Sequence, residues 1–293
     1  MPLPSILLKM VFFMRRFFLL SLFIGMIAFS YACWIEPNRI VVEHVVIPDE
    51  ILWRAWGETK IVQLSDLHID HPGKREAKLA RMVTDLKPDL IVITGDMVQW
   101  EKNPAPAMAF VESLHAPLGV YCVLGDSDMS AGRQQCLFCH TAGNVHQQRD
   151  HPRMFKNSCR TVDLDESGRT MVVAGFFVED EGNAVDRQTP FHGLPDQNSP
   201  LLVLNHFSDG WDEALGDRPR LWLAGDTHGG QIRLPDFLWE RLHVVDYPRY
   251  RAGLFSDGGH KWLYVNRGIG TTGSFPFRFG VPPEITVISF QGR

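Results

Sequence analysis

Apolar residues in this chain fall into short runs, each closed by a polar turn. Lys60–Ser65, Asp89–Thr94, Gly119–Leu124, Leu201–Leu204 and Leu221–Ala224 are such runs. Their length and near-continuous hydrophobicity predict buried strands. Thr170–Phe177, Trp262–Asn266 and Ile285–Phe290 predict further strands, and the loosely alternating Arg39–Pro48 predicts one at a sheet edge. Between them the period changes. Ala77, Leu79, Ala80, Met82, Val83 and Leu86 recur at helical spacing within Lys74–Lys87, and Pro88 stops the pattern. Pro106–Leu114 predicts a second helix. Strand and helix alternate, which is the α/β signature, with α+β the other class that periodicity allows.

The N-terminal stretch breaks this rhythm. Lys9, Arg15 and Arg16 precede an uncharged run, Phe17–Ile35, long enough to span a bilayer. The positive charge before it and Glu36 after it predict the N-terminus inside and the rest outside the cytoplasm. A cleaved signal peptide and a lipoprotein attached at Cys33 are the rival readings. A retained signal anchor is preferred, because no small-residue cleavage site is obvious and Ser30-Tyr31-Ala32 lacks the usual aliphatic residue before a lipidated cysteine. In a bacterium the domain would be periplasmic or extracellular. The predicted organisation is an anchor over residues 1–38, a linker and edge strand over 39–56, and one domain over 57–293. A net charge of −5 argues against a protein built to bind nucleic acid.

Candidate chemistry sits where the strands stop. The first run leads into Asp66 and His68, the second into Asp96, the third into Asp126, the fourth into His206, and the fifth into Asp226 and His228. In α/β sheets, ligands gather beyond the carboxyl ends of strands. A single Asp after a strand is usually a turn or cap residue. Seven residues in this order outweigh that reading: four carboxylates and three imidazoles suit two divalent cations. Asp96 is the best candidate to be shared, since phosphoryl hydrolysis uses metals about 3.5–4 Å apart.

The order Asp66-x-His68, Gly95-Asp96, Gly125-Asp126-Ser127-Asp128, His206 and Gly225-Asp226-Thr227-His228 resembles the calcineurin-like metallophosphoesterase family. The likeness runs from Lys60 to Phe290. Gly229-Gly230-Gln231-Ile232, Leu234-Pro235, Asn266-Arg267-Gly268-Ile269-Gly270 and Pro283-Glu284-Ile285 are similar to a membrane-anchored phosphodiesterase branch of it. The resemblance implies two mixed sheets packed face to face with helices outside. It implies one metal site from Asp66, His68, Asp96 and His228, and a second from Asp96, Asp126, His206 and Asp226. Three positions depart from the family pattern: Asp126 stands for Asn, Ser127 for the catalytic His, and Asp226 for His. Carboxylates at 126 and 226 favour oxygen-loving ions, Mn²⁺ ahead of Mg²⁺, Fe or Zn. The expected activity is metal-dependent hydrolysis of a phosphodiester or phosphomonoester on a phosphorylated small molecule or a lipid-linked substrate. One relative class cleaves the pyrophosphate of UDP-diacylglucosamine. The general acid–base group is unassigned, with His140 and Asp128 as candidates. The rival reading is a catalytically weakened metal-binding or regulatory protein, which the loss of His at 127 supports.

The polar segment from Ala131 to about residue 160 reads as an insert. Its Cys136-Leu137-Phe138-Cys139-His140 matches the attachment signature of c-type haem, with His146, His151 and Met154 as axial candidates. A disulfide or free thiols among Cys136, Cys139 and Cys159 is the preferred alternative. His140 is also a candidate to replace the imidazole missing at Ser127. Residues 182–200 read as loop. Arg267 and Arg278 are candidate phosphate donors, with structural ion pairing the competing reading. Phe237, Leu238, Trp239 and Leu242 are either core, the preferred reading, or an apolar lip near the membrane.

Overall fold

A computed structural model describes residues 5–129, 151–155, 157–176, 199–211, 215–235, 237, 238, 241, 250–272 and 276–292. The domain is two six-stranded sheets packed face to face. The first contains β1 (Val41–Ile47), β2 (Ile61–Leu64), β3 (Leu90–Thr94), β4 (Val120–Val123), β5 (Arg153–Met154) and β12 (Glu284–Phe290), in the order β1-β12-β2-β3-β4-β5. The second contains β6 (Ser158–Asp163), β7 (Thr170–Gly175), β8 (Leu201–Leu204), β9 (Arg220–Ala224), β10 (Gly253–Ser256) and β11 (Lys261–Val265), in the order β10-β11-β9-β8-β7-β6.

Within the first sheet β2, β3, β4 and β5 run parallel; in the second β7, β8, β9 and β11 do. Parallel strands end on the same edge, so both sheets deliver their carboxyl ends to one rim. The layer between the sheets is apolar on both sides: Ile61, Leu90, Val92 and Val123 face Val173, Leu202, Leu204, Leu221 and Leu223. The outer face of the first sheet is covered by α3 (Lys74–Leu86) and α4 (Ala105–Glu112), through Leu79, Val83, Ala107 and Val111. Trp211, Phe176 and Trp222 close the outer face of the second. Strands buried on both faces explain why their sequences are continuous apolar runs rather than alternating ones.

Several elements differ from the sequence expectation. The segment 39–56 holds not only the edge strand β1 but also α2 (Glu50–Trp56). That helix is too short to show a period. It is fixed by Asp49, whose carboxylate accepts the backbone N–H groups of Ile51 and Leu52, and by burial of Leu52 and Trp56. β5 lies inside 131–160 and β6 begins at Ser158 and runs past it; they pair with β4 and β7.

At the N-terminus α1 (Ser5–Ser30) continues through a π-helical turn, Tyr31–Ile35, and a 3₁₀ turn, Glu36–Asn38. Lys9–Asn38 is long and apolar enough to cross a membrane by length and composition. Phe13, Phe17, Phe18 and Phe29 are exposed along it. Arg15 and Arg16 lie within the helix rather than ahead of it.

Candidate metal centre

All seven strand-end candidates meet on the common rim. Asp66 and His68 follow β2, Asp96 follows β3, Asp126 follows β4, His206 follows β8, and Asp226 and His228 follow β9. They fall into three overlapping triads: Asp66–His68–His228, Asp66–Asp96–His206 and Asp126–His206–Asp226, with the ligand atoms of each within 4.8 Å of one another.

The spacings are those of donors aimed at a common point. His68 Nε2 lies 3.1 Å from His228 Nε2 and 3.4 Å from Asp96 Oδ2. His206 Nε2 lies 3.5 Å from Asp96 Oδ1, 3.5 Å from Asp126 Oδ1 and 3.7 Å from Asp226 Oδ1. His228 Nε2 is 3.5 Å from Asp66 Oδ1. Two ligands of one first-row dication, each about 2.0–2.2 Å from it, stand about 3–3.5 Å apart. Asp96 thus turns one oxygen toward His68 and the other toward His206, which is the arrangement a shared ligand needs.

Two further observations fit a bound cation. Asp66 Oδ2 and His206 Nε2 are buried and have no hydrogen-bond partner, a costly state unless something else satisfies them. Backbone strain is also concentrated here: Asp66, His68, Asp96, Asp226 and His228 all have φ between +44° and +68°. Non-glycine residues pay about 1–3 kcal/mol for such conformations and hold them at functional sites.

The glycines of the motifs work by absence of bulk. A Cβ at Gly125 would lie 2.1 Å from Asp96 Oδ1, and one at Gly225 would lie 1.9 Å from Ser65 Oγ and 2.6 Å from Asp66 Oδ2. Only glycine lets these turns pass so close to the carboxylates.

The electrostatics split the imidazoles. Burial, with the field of His206, pushes His68 down to about 3, and burial, with the neighbouring His68 and Arg278, holds His228 well below its ordinary value. Both are neutral bases at neutral pH. Burial also opposes charge on His206, but Asp96, Asp126, Asp66 and Asp226 outweigh it and raise it well above its usual range. Its Nδ1 sits 2.8 Å from the Thr94 carbonyl, which fixes the ring with Nε2 toward the acids. Burial and the surrounding acids lift Asp96 well above the carboxylate range, and burial lifts Asp226 to about 7. Burial also pulls Asp126 upward, but the close approach and field of His206 hold it at about 2. Without a cation the cluster therefore carries more negative charge than its surroundings favour. It opens to solvent at Asp126 and Asp226, whose side chains are 56% and 41% exposed, while His206 and Asp66 are fully enclosed.

Three expectations are corrected. Asp128 does not face the cleft: it is fully buried, and its two oxygens accept the backbone N–H groups of Val98 and Gly125. It latches the third turn to the second, and burial lifts its carboxyl to about 6. Arg278 is also fully buried, its guanidinium given to the carbonyls of Arg267, Gly268, Gly270 and Val281. Arg267 pairs with Glu43 at 3.1 Å and with Glu284. Neither arginine is placed to receive a phosphate, and for both the ion-pair or structural reading holds. Cys136, Cys139, His140 and His146 lie outside the described residues. Cys159 is a free thiol on β6, and His151 stacks on His115 with ring centroids 4.8 Å apart. Phe237 is 65% exposed and so is not core, and Leu238 is half-buried. Trp239 and Leu242 lie outside the described residues.

Sequence reasoning named Ser127, Asn266 and Arg278 but not their part in holding the ligands. Ser127 donates to Asp96, and Asn266 fixes its loop through bonds to Thr286 and to the Gly268 N–H. Arg278 Nη2 lies 3.2 Å from His228 Nδ1.

The family model described as calcineurin-like phosphoesterase matches residues 59–230. An uncharacterized metallophosphoesterase of Bacillus subtilis is 29% identical over 271 residues, covering 90% of each chain. A UDP-2,3-diacylglucosamine pyrophosphatase of Chlamydia trachomatis is 28% identical over 281 residues, covering 78% of this chain and 82% of that one. A transmembrane protein with a metallophosphoesterase domain from Danio rerio is 28% identical, covering 86% of this chain and 57% of its own length.

Proposed function

The chain belongs to the calcineurin-like phosphoesterase family and is a hydrolase, and from that premise we propose that it is a membrane-tethered, two-cation phosphoesterase whose sites share Asp96. The observation that carries this reading is the position of the Asp96 carboxylate, one oxygen 3.4 Å from His68 and the other 3.5 Å from His206. Asp66, His68 and His228 would complete one site, and Asp126, His206 and Asp226 the other. When bound, a pair of divalent cations supplies the Lewis acidity and the activated water that phosphate-ester hydrolysis requires. The carboxylates at 126 and 226 favour Mn²⁺ or Mg²⁺.

The chain's own contribution is placement. Neutral His68 and His228 present lone pairs without competing for protons. The Thr94 carbonyl keeps His206 turned inward. Asp126 and Asp226 form the open side, so the phosphate ester arrives there. Their charge repels an anion until it is neutralised, which ties substrate binding to cation loading. Ser127 supplies no imidazole, and its hydroxyl is engaged by Asp96.

The substrate in this reading is a nucleotide-linked lipid or another phosphodiester at the membrane surface. Two things support it: the apolar helix next to the domain, and the similarity to an enzyme named for a lipid-linked pyrophosphate. The proposed anchor is residues 1–38, with the domain, 57–293, outside the cytoplasm.

The test uses the full chain in detergent. Bound Mn²⁺ is counted and bis-(p-nitrophenyl) phosphate hydrolysis is followed, with Asp96→Asn as control. Two ions per chain and turnover that vanishes in the variant are expected. One ion or none, with turnover no greater than the variant's, overturns the reading.

A further inference from the structure

The end of α1 and the His228 turn lie against opposite sides of one short segment, residues 277–280. On the first side, the Arg278 N–H donates to the Ala32 carbonyl at 3.0 Å, and the Gly280 N–H donates to the buried carboxylate of Glu36 at 2.9 Å. Phe277 and Phe279 meet Phe29 and Tyr31 with ring centroids 6.4 and 6.3 Å apart. On the second side, the Phe279 N–H donates to the Gln231 carbonyl at 2.9 Å, and the Phe279 carbonyl accepts the Arg233 N–H at 2.7 Å.

The Arg278 side chain connects these contacts to the centre. It reaches four backbone carbonyls, the shortest at 2.6 Å to Gly270, and the Gly270 N–H in turn donates to the Asp66 carbonyl at 2.6 Å. Its Nη2 stands against the ring nitrogen of His228 that faces away from the centre. A planar guanidinium has five donors in a fixed fork and can serve such a ring of acceptors; an ammonium, with three donors on one atom, cannot. A buried cation beside a cation site is otherwise unfavourable, so its retention there calls for compensating work.

We propose that Arg278 is a positioning residue which locks His228 and the Asp66 loop to the docked end of α1, so that the anchor's exit is a structural part of one cation site and not only a tether. The inference rests on the reading of Asp66, His68 and His228 as ligands. If it holds, loosening the helix end weakens that site from a distance and leaves the Asp126–His206–Asp226 site as it was.

The experiment is a Co²⁺ titration of the full chain in detergent, read by ligand-field absorbance, with two variants: Arg278→Lys and the double change Glu36→Ala/Tyr31→Ala. In both, one of the two Co²⁺ ions is expected to bind about tenfold or more weakly, with altered bands, while the other binds unchanged. Variants that bind both ions with wild-type constants and spectra overturn the inference alone. So does equal weakening of both sites, which a merely structural role would give. Should Arg278→Lys fail to fold, the double variant, which leaves the guanidinium in place, decides by the same comparison. Wild-type chain that takes up no Co²⁺ overturns the metal-centre reading and this inference with it.

Discussion

Ser127 donates both its backbone N–H and its hydroxyl to the Asp96 carboxylate, each at 3.0 Å. One residue thus fixes both oxygens of the group that stands between His68 and His206. The serine does not substitute for an imidazole at the cleft; it orients the carboxylate that both candidate sites need. Ser127→Ala keeps the backbone donor and loses the hydroxyl, leaving Asp96 Oδ2 short of a partner. The expected cost is about 1–3 kcal/mol in the metal-free protein, measured by urea denaturation. A loss below a few tenths would mean water replaces the hydroxyl without strain.

Asp96→Asn should separate function from stability. Burial and the surrounding acids already oppose charge at this position, so the neutral amide should leave the metal-free fold as stable as wild type or more so. Cation binding and hydrolysis should fall by at least about a hundredfold. Parallel urea curves and metal titrations test both halves. A variant that lost stability and kept its metals would contradict the assignment.

Gly125→Ala should fail for a steric reason. The new Cβ would lie 2.1 Å from Asp96 Oδ1 and 2.7 Å from the Asp96 backbone nitrogen. Neither atom belongs to a flexible chain end. A loss of about 1–3 kcal/mol is expected, with metal uptake reduced alongside it. Thermal unfolding with and without Mn²⁺ reads both effects.

Asp49 gives a prediction about pH. Its carboxylate caps α2 and also accepts from His260 Nδ1 and Trp262 Nε1, both at 2.9 Å, joining the linker to β11. Burial pushes this carboxyl upward, but the hydrogen bonds from Trp262, Leu52 and His260 outweigh it and hold it below the ordinary range. A folded-state value below the unfolded one stabilises the protein above the unfolded value, about 3.9. That contribution is lost as pH falls through the folded value. Asp49→Ala should therefore cost about 0.5–2 kcal/mol near neutrality, and the gap from wild type should shrink below about pH 4. Denaturation at several pH values checks the sign; a gap that widens in acid would refute it.

The rim of the fold was legible in the sequence because strands buried on both faces leave an unbroken apolar signal, and the polar residue that ends each run is conspicuous against it. Leu201–Leu204 followed by His206 is such a case. Other elements carry no such contrast. β10, Gly253–Ser256, is an edge strand with alternate residues exposed, and α2 owes its existence to one capping carboxylate. The role of the arginines stayed open for a different reason. Sequence reports that a guanidinium is present, not whether solvent reaches it, and Arg278 spends its donors on backbone carbonyls that no residue pattern reveals. The same holds for Asp128, whose buried oxygens bind two amides from neighbouring turns.

The placement of β12 has a consequence for biosynthesis. Residues 284–290 lie between β1 and β2, and β1 pairs with no other described strand. While the ribosome is still making the segments in between, β1 has no neighbour, and β2 has an unpaired edge. That edge of the sheet is completed only once residues 284–290, translated after β1 to β11, have emerged, and contacts this distant in sequence form slowly. If α1 enters a bilayer first, the nascent chain would hold an unfinished sheet beside it until residues 284–290 have been made. Its exposure to aggregation and to proteases is set by the timing of synthesis as well as by the stability of the finished domain.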